Sequence, residues 1–272
     1  MKLNVAALNP AGNITLIVTT PVNRAAYADI ARALLAVPGL RGEQVGFLVP
    51  PKFGGMVRLE MMGGEFCGNA LRSTGYYYAV QSGFRGTAVV PVEISGSAAP
   101  LDVEVDLVNN TAKAEMPLPL SMNDITVNGR PVKAVAFEGI VHFIVESAAD
   151  PYIPGGPDKP DDAFIEAVVD HAVNSLGAEA AGVMFLDRAS MFMCPVVYVR
   201  ETGSLVYESS CASGSTAAAL TLASGLPDRE YAFDLSQPGG AIKVGVTKSG
   251  GAFTELTIGG PVSIDEEGII EI

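Results

Sequence analysis

The sequence predicts an α/β (α+β) fold of two pseudo-symmetric halves, each a curved mixed or antiparallel sheet wrapped around one central helix. Three observations carry this. Short apolar or alternating runs bounded by Gly, Pro and Asn fill much of the chain and read as strands. Two helical segments are small or apolar around nearly their whole circumference, the pattern of a helix enclosed on all sides. The order of elements, with a cysteine ahead of each enclosed helix, occurs twice in the 272 residues.

In the first half, 3–7 and 14–19 read as strands joined by the turn-rich Asn9-Pro10-Ala11-Gly12-Asn13. Asn23 caps a helix that stops before Pro38-Gly39. Strands follow at 45–49 and 56–62, the second with Val57, Leu59 and Met61 on one face and Arg58 and Glu60 on the other. A helix over 68–82 ends at Gly83, and strands at 89–94, 101–107 and 112–116 complete the half. The second half repeats this order: strands at 132–136 and 141–145, a helix over 161–176, strands at 182–186 and 195–199, a helix over 212–224, and strands at 232–235, 242–246 and 254–258. One shift lays Glu93-Ile94-Ser95 over Asp234-Leu235-Ser236 and the alternating 101–105 over 242–246. The halves are assigned to 1–120 and 121–272, with the active site expected in the cleft between them.

Composition narrows the function. Apolar residues make up 49% and charged residues 17%, which excludes a disordered chain. A net charge of −13 repels phosphate backbones, so nucleic acid is not an expected partner. No uninterrupted apolar run approaches the roughly 20 residues of a membrane span, and the N-terminus lacks a signal-peptide pattern. Three cysteines make no disulfide framework. A cytoplasmic protein with reduced thiols is expected. A homodimer is the default assembly, because such assemblies are common.

Cys67, in Glu65-Phe66-Cys67-Gly68-Asn69-Ala70, and Cys211, in Glu208-Ser209-Ser210-Cys211-Ala212-Ser213, occupy matching places in the halves. Each follows a strand and immediately precedes a helix. The unpaired N–H groups and partial positive charge of a helix start make a thiol more acidic and bind carboxylates. Gly68 and Gly214 remove side chains where a ligand would approach the backbone. Two thiols on opposite faces of one carbon suit a proton exchange that inverts it: one thiolate removes the α-proton and the other thiol delivers one. Cys194, opening an apolar strand, reads as an inert core residue, and His142 as a satisfied core histidine. Tyr76-Tyr77-Tyr78 reads as helix packing, and Gln237-Pro238-Gly239-Gly240 as a type II turn.

At these residues the chain resembles the diaminopimelate epimerase-like superfamily of cofactor-independent, two-cysteine racemases and epimerases. Within it, the sequence is most similar to the histidine racemases of opine-metallophore (staphylopine-type) biosynthesis. Asn9-Pro10-Ala11-Gly12-Asn13, Glu43-Gln44-Val45-Gly46-Phe47, the two cysteine segments and Gln237-Pro238-Gly239-Gly240 match in the family's order. The resemblance implies the duplicated fold, an amino-acid substrate, and neither PLP nor a metal. It implies that Cys67 and Cys211 are the acid/base pair. It further implies that Gly68, Asn69, Ala212 and Ser213 offer N–H groups to the α-carboxylate, and that Asn13 lines the substrate. Diaminopimelate epimerases proper have a longer stretch, carrying an Arg, before the second cysteine. Here that stretch is contracted to Tyr207-Glu208-Ser209-Ser210. A cationic or imidazole side chain would want an acid, for which Glu43, Glu65 and Glu208 are candidates, Glu208 alternatively holding the α-ammonium. Histidine racemisation is the leading expectation. The alternatives are a proline, hydroxyproline or diaminopimelate-type epimerase, or a non-catalytic carboxylate binder.

Overall fold

The computed structural model describes residues 1–146, 162–200 and 203–272. Strands β1 (Lys2–Asn9) and β2 (Thr15–Val18) pair antiparallel. In the turn between them Ala11 and Gly12 adopt φ of 63° and 88°, and Asn9 Oδ1 accepts the Gly12 N–H at 2.8 Å. Asn23 Oδ1 accepts from the Ala25 N–H and opens a short 3-10 turn into helix α1 (Tyr27–Leu35). Next come β3 (Gln44–Val49), β4 (Val57–Met61), α2 (Gly68–Gln81), β5 (Thr87–Ile94), β6 (Leu101–Asp106) and β7 (Thr111–Glu115).

The chain continues through β8 (Ser121–Val127), β9 (Arg130–Phe137), β10 (Ile140–Glu146), α3 (Asp162–Asp170), β11 (Ala180–Asp187), β12 (Phe192–Val199) and β13 (Ser204–Tyr207). It ends with α4 (Ala212–Ala223), β14 (Glu230–Gln237), β15 (Gly240–Ser249), β16 (Ala252–Pro261) and β17 (Ser263–Glu271). The helix expected from Asp161 begins within the described residues at Asp162, Asp161 itself lying outside them. No helix of the described residues is long and apolar enough to cross a membrane.

Two compact units emerge, Met1–Glu115 with Ile258–Ile272, and Met116–Thr257. They differ from a division at 120/121 chiefly through β17, which pairs along β1 from Lys2↔Glu271 to Asn9↔Ser263. Each unit repeats one pairing pattern. β1–β2 antiparallel, β2–β3 parallel, β3–β4 antiparallel, β4–β5 parallel and β5–β6 antiparallel correspond to β9–β10, β10–β11, β11–β12, β12–β14 and β14–β15. Every parallel step is bridged by a helix, because parallel neighbours need a crossover. α1 and α3 serve the first such step of each unit, α2 and α4 the second.

The crossovers carrying the cysteines are the enclosed ones. α4 is buried from Ala212 to Ala223 except at Ser213, and α2 at nearly every position from Gly68 to Ala79. Their hydroxyls return to their own helix: Thr74 Oγ1 donates to Ala70 O, Thr216 Oγ1 to Ala212 O and Thr221 Oγ1 to Ala217 O. Tyr76 and Tyr77 pack in the core while their hydroxyls donate to Asn110 Oδ1 and Glu267 Oε1.

Val57, Leu59 and Met61 face inward on β4, as their alternation predicts. The other face is not solvated: Glu60 is buried among Arg24, Lys52 and Arg58, and Arg58 also pairs with buried Glu93. Burial alone would push the Glu93 carboxyl up. The N–H groups of Lys52, Gly55 and Phe53, together with Arg58, outweigh that and hold it down to about 2. A depressed carboxylate contributes stability above its unfolded value and loses it as pH falls through the folded one. Thermal stability should therefore fall between about pH 4.3 and pH 2, and Glu93→Gln should melt lower at pH 7 and lose less across that window. Equal melting of the variant and the parent at pH 7 would count against this account of the 52–55 loop.

Candidate active site

In the first unit Cys67 is the N-cap of α2. Its φ and ψ are −136° and 113°, its sulfur accepts the Ala70 N–H at 3.4 Å, and its carbonyl accepts the Leu71 N–H. The loop before it is tied to β5's end, where Ser95 Oγ accepts from Met61 N and donates to Glu65 O, each at 2.9 Å. The thiol donates to Gln44 Oε1 at 3.0 Å. Gln44 Nε2 donates to Asn13 Oδ1 and Thr15 Oγ1, both at 2.8 Å. Asn13 Oδ1 also accepts from Asn69 Nδ2 at 3.2 Å, while Asn13 Nδ2 donates to Glu43 Oε2 at 2.7 Å. Asn13, Glu43, Asn69 and Cys67 thus form one network, with Gly68 buried at the helix start beside them. Glu65 is exposed and is held through its backbone carbonyl.

The second unit repeats the cap. Cys211 has φ and ψ of −126° and 113°, accepts the Gly214 N–H at 3.4 Å, and its carbonyl accepts the Ser215 N–H. Buried Ala212 and half-buried Ser213 form the first turn. Burial pushes the Cys211 thiol well up. The neighbouring Glu208 carboxylate adds to this by charge and by a hydrogen bond, while the Gly214 N–H and Ser213 hydroxyl pull the other way. The helix start therefore does not make Cys211 more acidic: desolvation and Glu208 exceed what the Gly214 N–H and the Ser213 hydroxyl return. Burial likewise raises Cys194 to about 12, in keeping with an inert core thiol.

Two residues that read first as structural, Gln237 and His142, support this loop. Gln237 Oε1 accepts the Cys211 N–H at 2.8 Å and its Nε2 donates to Ser215 Oγ at 3.0 Å. Its turn is not type II, since positive φ falls on Gly240 (146°) rather than on Gly239, whose N–H donates to Ser209 O. His142 is a buried core histidine with one hydrogen-bond partner: Nε2 lies 2.8 Å from Ser213 Oγ, itself 3.7 Å from Cys211 Sγ, while Nδ1 has no partner among the described residues. Burial holds the imidazole down to about 3, so it is neutral at working pH. Gly182, opposite His142 in the ladder, leaves the ring its space: a Cβ there would lie 2.2 Å from Nδ1. Ser213→Ala would leave both ring nitrogens unpartnered. We expect it to cost about 1–3 kcal/mol, read as a lower urea midpoint at unchanged slope; an unchanged midpoint would show that the contact contributes nothing.

Among the described residues no three of His, Cys, Asp and Glu gather as a metal-binding group. The chemistry this geometry offers is that of two thiols, each at the head of a buried helix and backed by amide and hydroxyl groups.

The family described as histidine racemase CntK N-terminal domain matches residues 2–270. The chain belongs to the histidine racemase family. A histidine racemase of Fusobacterium nucleatum subsp. nucleatum is 34% identical over 279 residues, covering 99% of this chain and 97% of that protein. One of Staphylococcus aureus is 28% identical over 248 residues, covering 87% and 85%. Among solved structures, a predicted epimerase from Pseudomonas aeruginosa has a TM-score of 0.70 at 15% identity, with 99% of each chain covered. A probable proline racemase from Agrobacterium radiobacter has a TM-score of 0.68 at 15% identity, covering 99% of this chain and 92% of that one. The racemase and epimerase fold expected from the sequence is the fold observed.

Proposed function

We propose that this chain racemises free histidine without PLP or a metal, with Cys67 and Cys211 acting on opposite faces of one α-carbon. The observation that carries the reading is the repeated cap: two cysteines with near-identical backbone angles, each accepting the N–H three residues on. A protein that only bound its ligand would have no need of two matched thiols at helix starts. Membership in the histidine racemase family supports histidine as substrate.

One thiolate takes the α-proton, leaving the electron pair on the α-carbon, and the other thiol delivers its proton from the opposite side. Configuration inverts, and the protonation states of the two sulfurs are exchanged. The N–H groups of Gly68, Asn69, Ala212 and Ser213 bind the α-carboxylate and stabilise the charge that develops on it. Acid–base transfer gives only about 10²–10⁴-fold, so this electrostatic stabilisation supplies most of the remainder. Glu43, Glu65 and Glu208 are candidate partners for the imidazole, Glu208 alternatively holding the α-ammonium. The resemblance to the histidine racemases of opine-metallophore biosynthesis supports a cytoplasmic enzyme of that biosynthesis.

Chiral chromatography of reduced protein incubated with L-histidine, L-proline, trans-4-hydroxy-L-proline and LL-diaminopimelate tests this. We expect the D-enantiomer to accumulate from histidine alone. Turnover of one of the others instead would reassign the substrate, and none at all would favour a carboxylate-binding protein.

A further inference from the structure

Arg72 heads the fully buried side chains of the described residues by size. It lies on α2, one turn beyond the cap. Nη2 donates to Asn69 Oδ1 at 3.1 Å and Nη1 to Ala112 O at 3.4 Å, while Nε has no partner among the described residues. Among the described residues neutral acceptors are thus all it meets, and no carboxylate forms an ion pair with it. The strands packed on α2 turn apolar residues toward it. Arg58, Glu60 and Glu93 on β4 and β5, Asp102, Glu104 and Asp106 on β6, and Lys113 and Glu115 on β7 occupy the opposite faces. Lys2 on β1 is exposed, and Glu267 of β17 bonds Tyr77 and Gln81 farther along the helix. Cys67, Glu43 and Glu65 lie toward the cap end, and Arg24, paired with Glu60, has its Nη2 beside Gly64 in the loop before the cap. A buried cation without a counter-ion is costly, so a gain elsewhere must offset it.

We propose that Arg72 is a positioning residue for Cys67: its sealed, uncompensated charge favours the Cys67 thiolate by more than Gln44 Oε1, which accepts the thiol proton, favours the neutral form, and its hydrogen bond to Asn69 fixes the direction of the amides that place Gln44 there. The inference rests on the reading of Cys67 as an acid/base. Burial lowers the guanidinium to about 10 and the Cys67 charge pushes it back up, so Arg72 stays cationic near neutrality; the attraction is mutual. The direction follows from the ends of the chain. Arginine only donates and a carboxylate only accepts. Asn69 must therefore turn Oδ1 to Arg72 and Nδ2 to Asn13, and Asn13 must turn Nδ2 to Glu43. Asn13 Oδ1 is left to hold Gln44 Nε2, which puts Gln44 Oε1 against Cys67.

The test is the pH dependence of iodoacetamide alkylation at Cys67, located by peptide mass spectrometry, in the full chain and in Arg72→Met and Arg72→Lys. Unaltered protein should titrate below the ordinary thiol value of about 8.5. Arg72→Met should titrate at least about one unit higher, or roughly tenfold less thiolate at pH 7, and Arg72→Lys should recover most of the difference. Should Arg72→Met not fold, the unaltered and Lys proteins still decide: a Cys67 titrating at or above the ordinary value in both overturns the proposal. So does a folded Met variant titrating like the parent, or Met and Lys variants shifted equally, which would indicate packing alone. Alkylation is read without turnover, so this outcome is separate from whether the chain racemises histidine.

Discussion

Cys67→Ser and Cys211→Ser should each lower histidine racemisation by at least about 10²–10⁴-fold while leaving the melting temperature within a few degrees. Serine keeps the shape and can still cap the helix, since its oxygen can accept the N–H that the sulfur accepts from Ala70 or Gly214. Its hydroxyl is a far weaker acid than a thiol in the same place. Inversion needs a base on one side and an acid on the other, so either loss suffices, and a double variant should be little worse than a single one. Chiral chromatography of L-histidine incubations with matched thermal melts checks this. A single variant turning over at the parent rate would remove that cysteine from the chemistry.

Gly96→Ala should reduce racemisation by about 10²-fold although Gly96 belongs to neither cysteine loop. Its φ is 76°, and a Cβ there would lie 2.5 Å from Phe66 N and 2.9 Å from Phe66 Cα. These are backbone atoms of the residue before Cys67 and cannot swing away as a side-chain end can. The loop must move, carrying the cap sulfur off its line to the Ala70 N–H. Gly86→Ala is the matched control: its φ is 71°, with nothing within 4 Å of the added carbon. It should show only the left-handed strain, about 1–2 kcal/mol, and an unchanged rate. Indistinguishable rates for the two variants would mean that the Gly96–Phe66 approach does not position Cys67.

What could be read from the chain divides along physical lines. α2 and α4 were legible because helices without a polar face, such as 212–223, must be enclosed, and the cysteines before them because the setting occurs twice. β8 and β17 were not. Ser121-Met122-Asn123-Asp124 and Asp265-Glu266-Glu267 have no inward apolar alternation, and these segments become strands by pairing with β9 and β1. Asn13, Glu43 and Asn69 could be nominated through resemblance, but Gln44, which joins them to Cys67, stood in the sequence as an ordinary strand residue. His142 looked like core because its neighbours are Val141 and Phe143. Its link to Ser213 depends on Gly182 of β11 facing it on β10, a pairing that no local pattern encodes.

The most direct test of the two-thiol reading is the isotopic fate of the α-hydrogen in deuterium oxide, followed from L-histidine at low conversion. The delivering thiol carries solvent deuterium, whereas the receiving thiol returns only the hydrogen it took. D-histidine should therefore carry α-deuterium in essentially every molecule while the remaining L-histidine stays protiated. D-histidine that retains protium, or an L-histidine pool labelled as fast as the product forms, would contradict it.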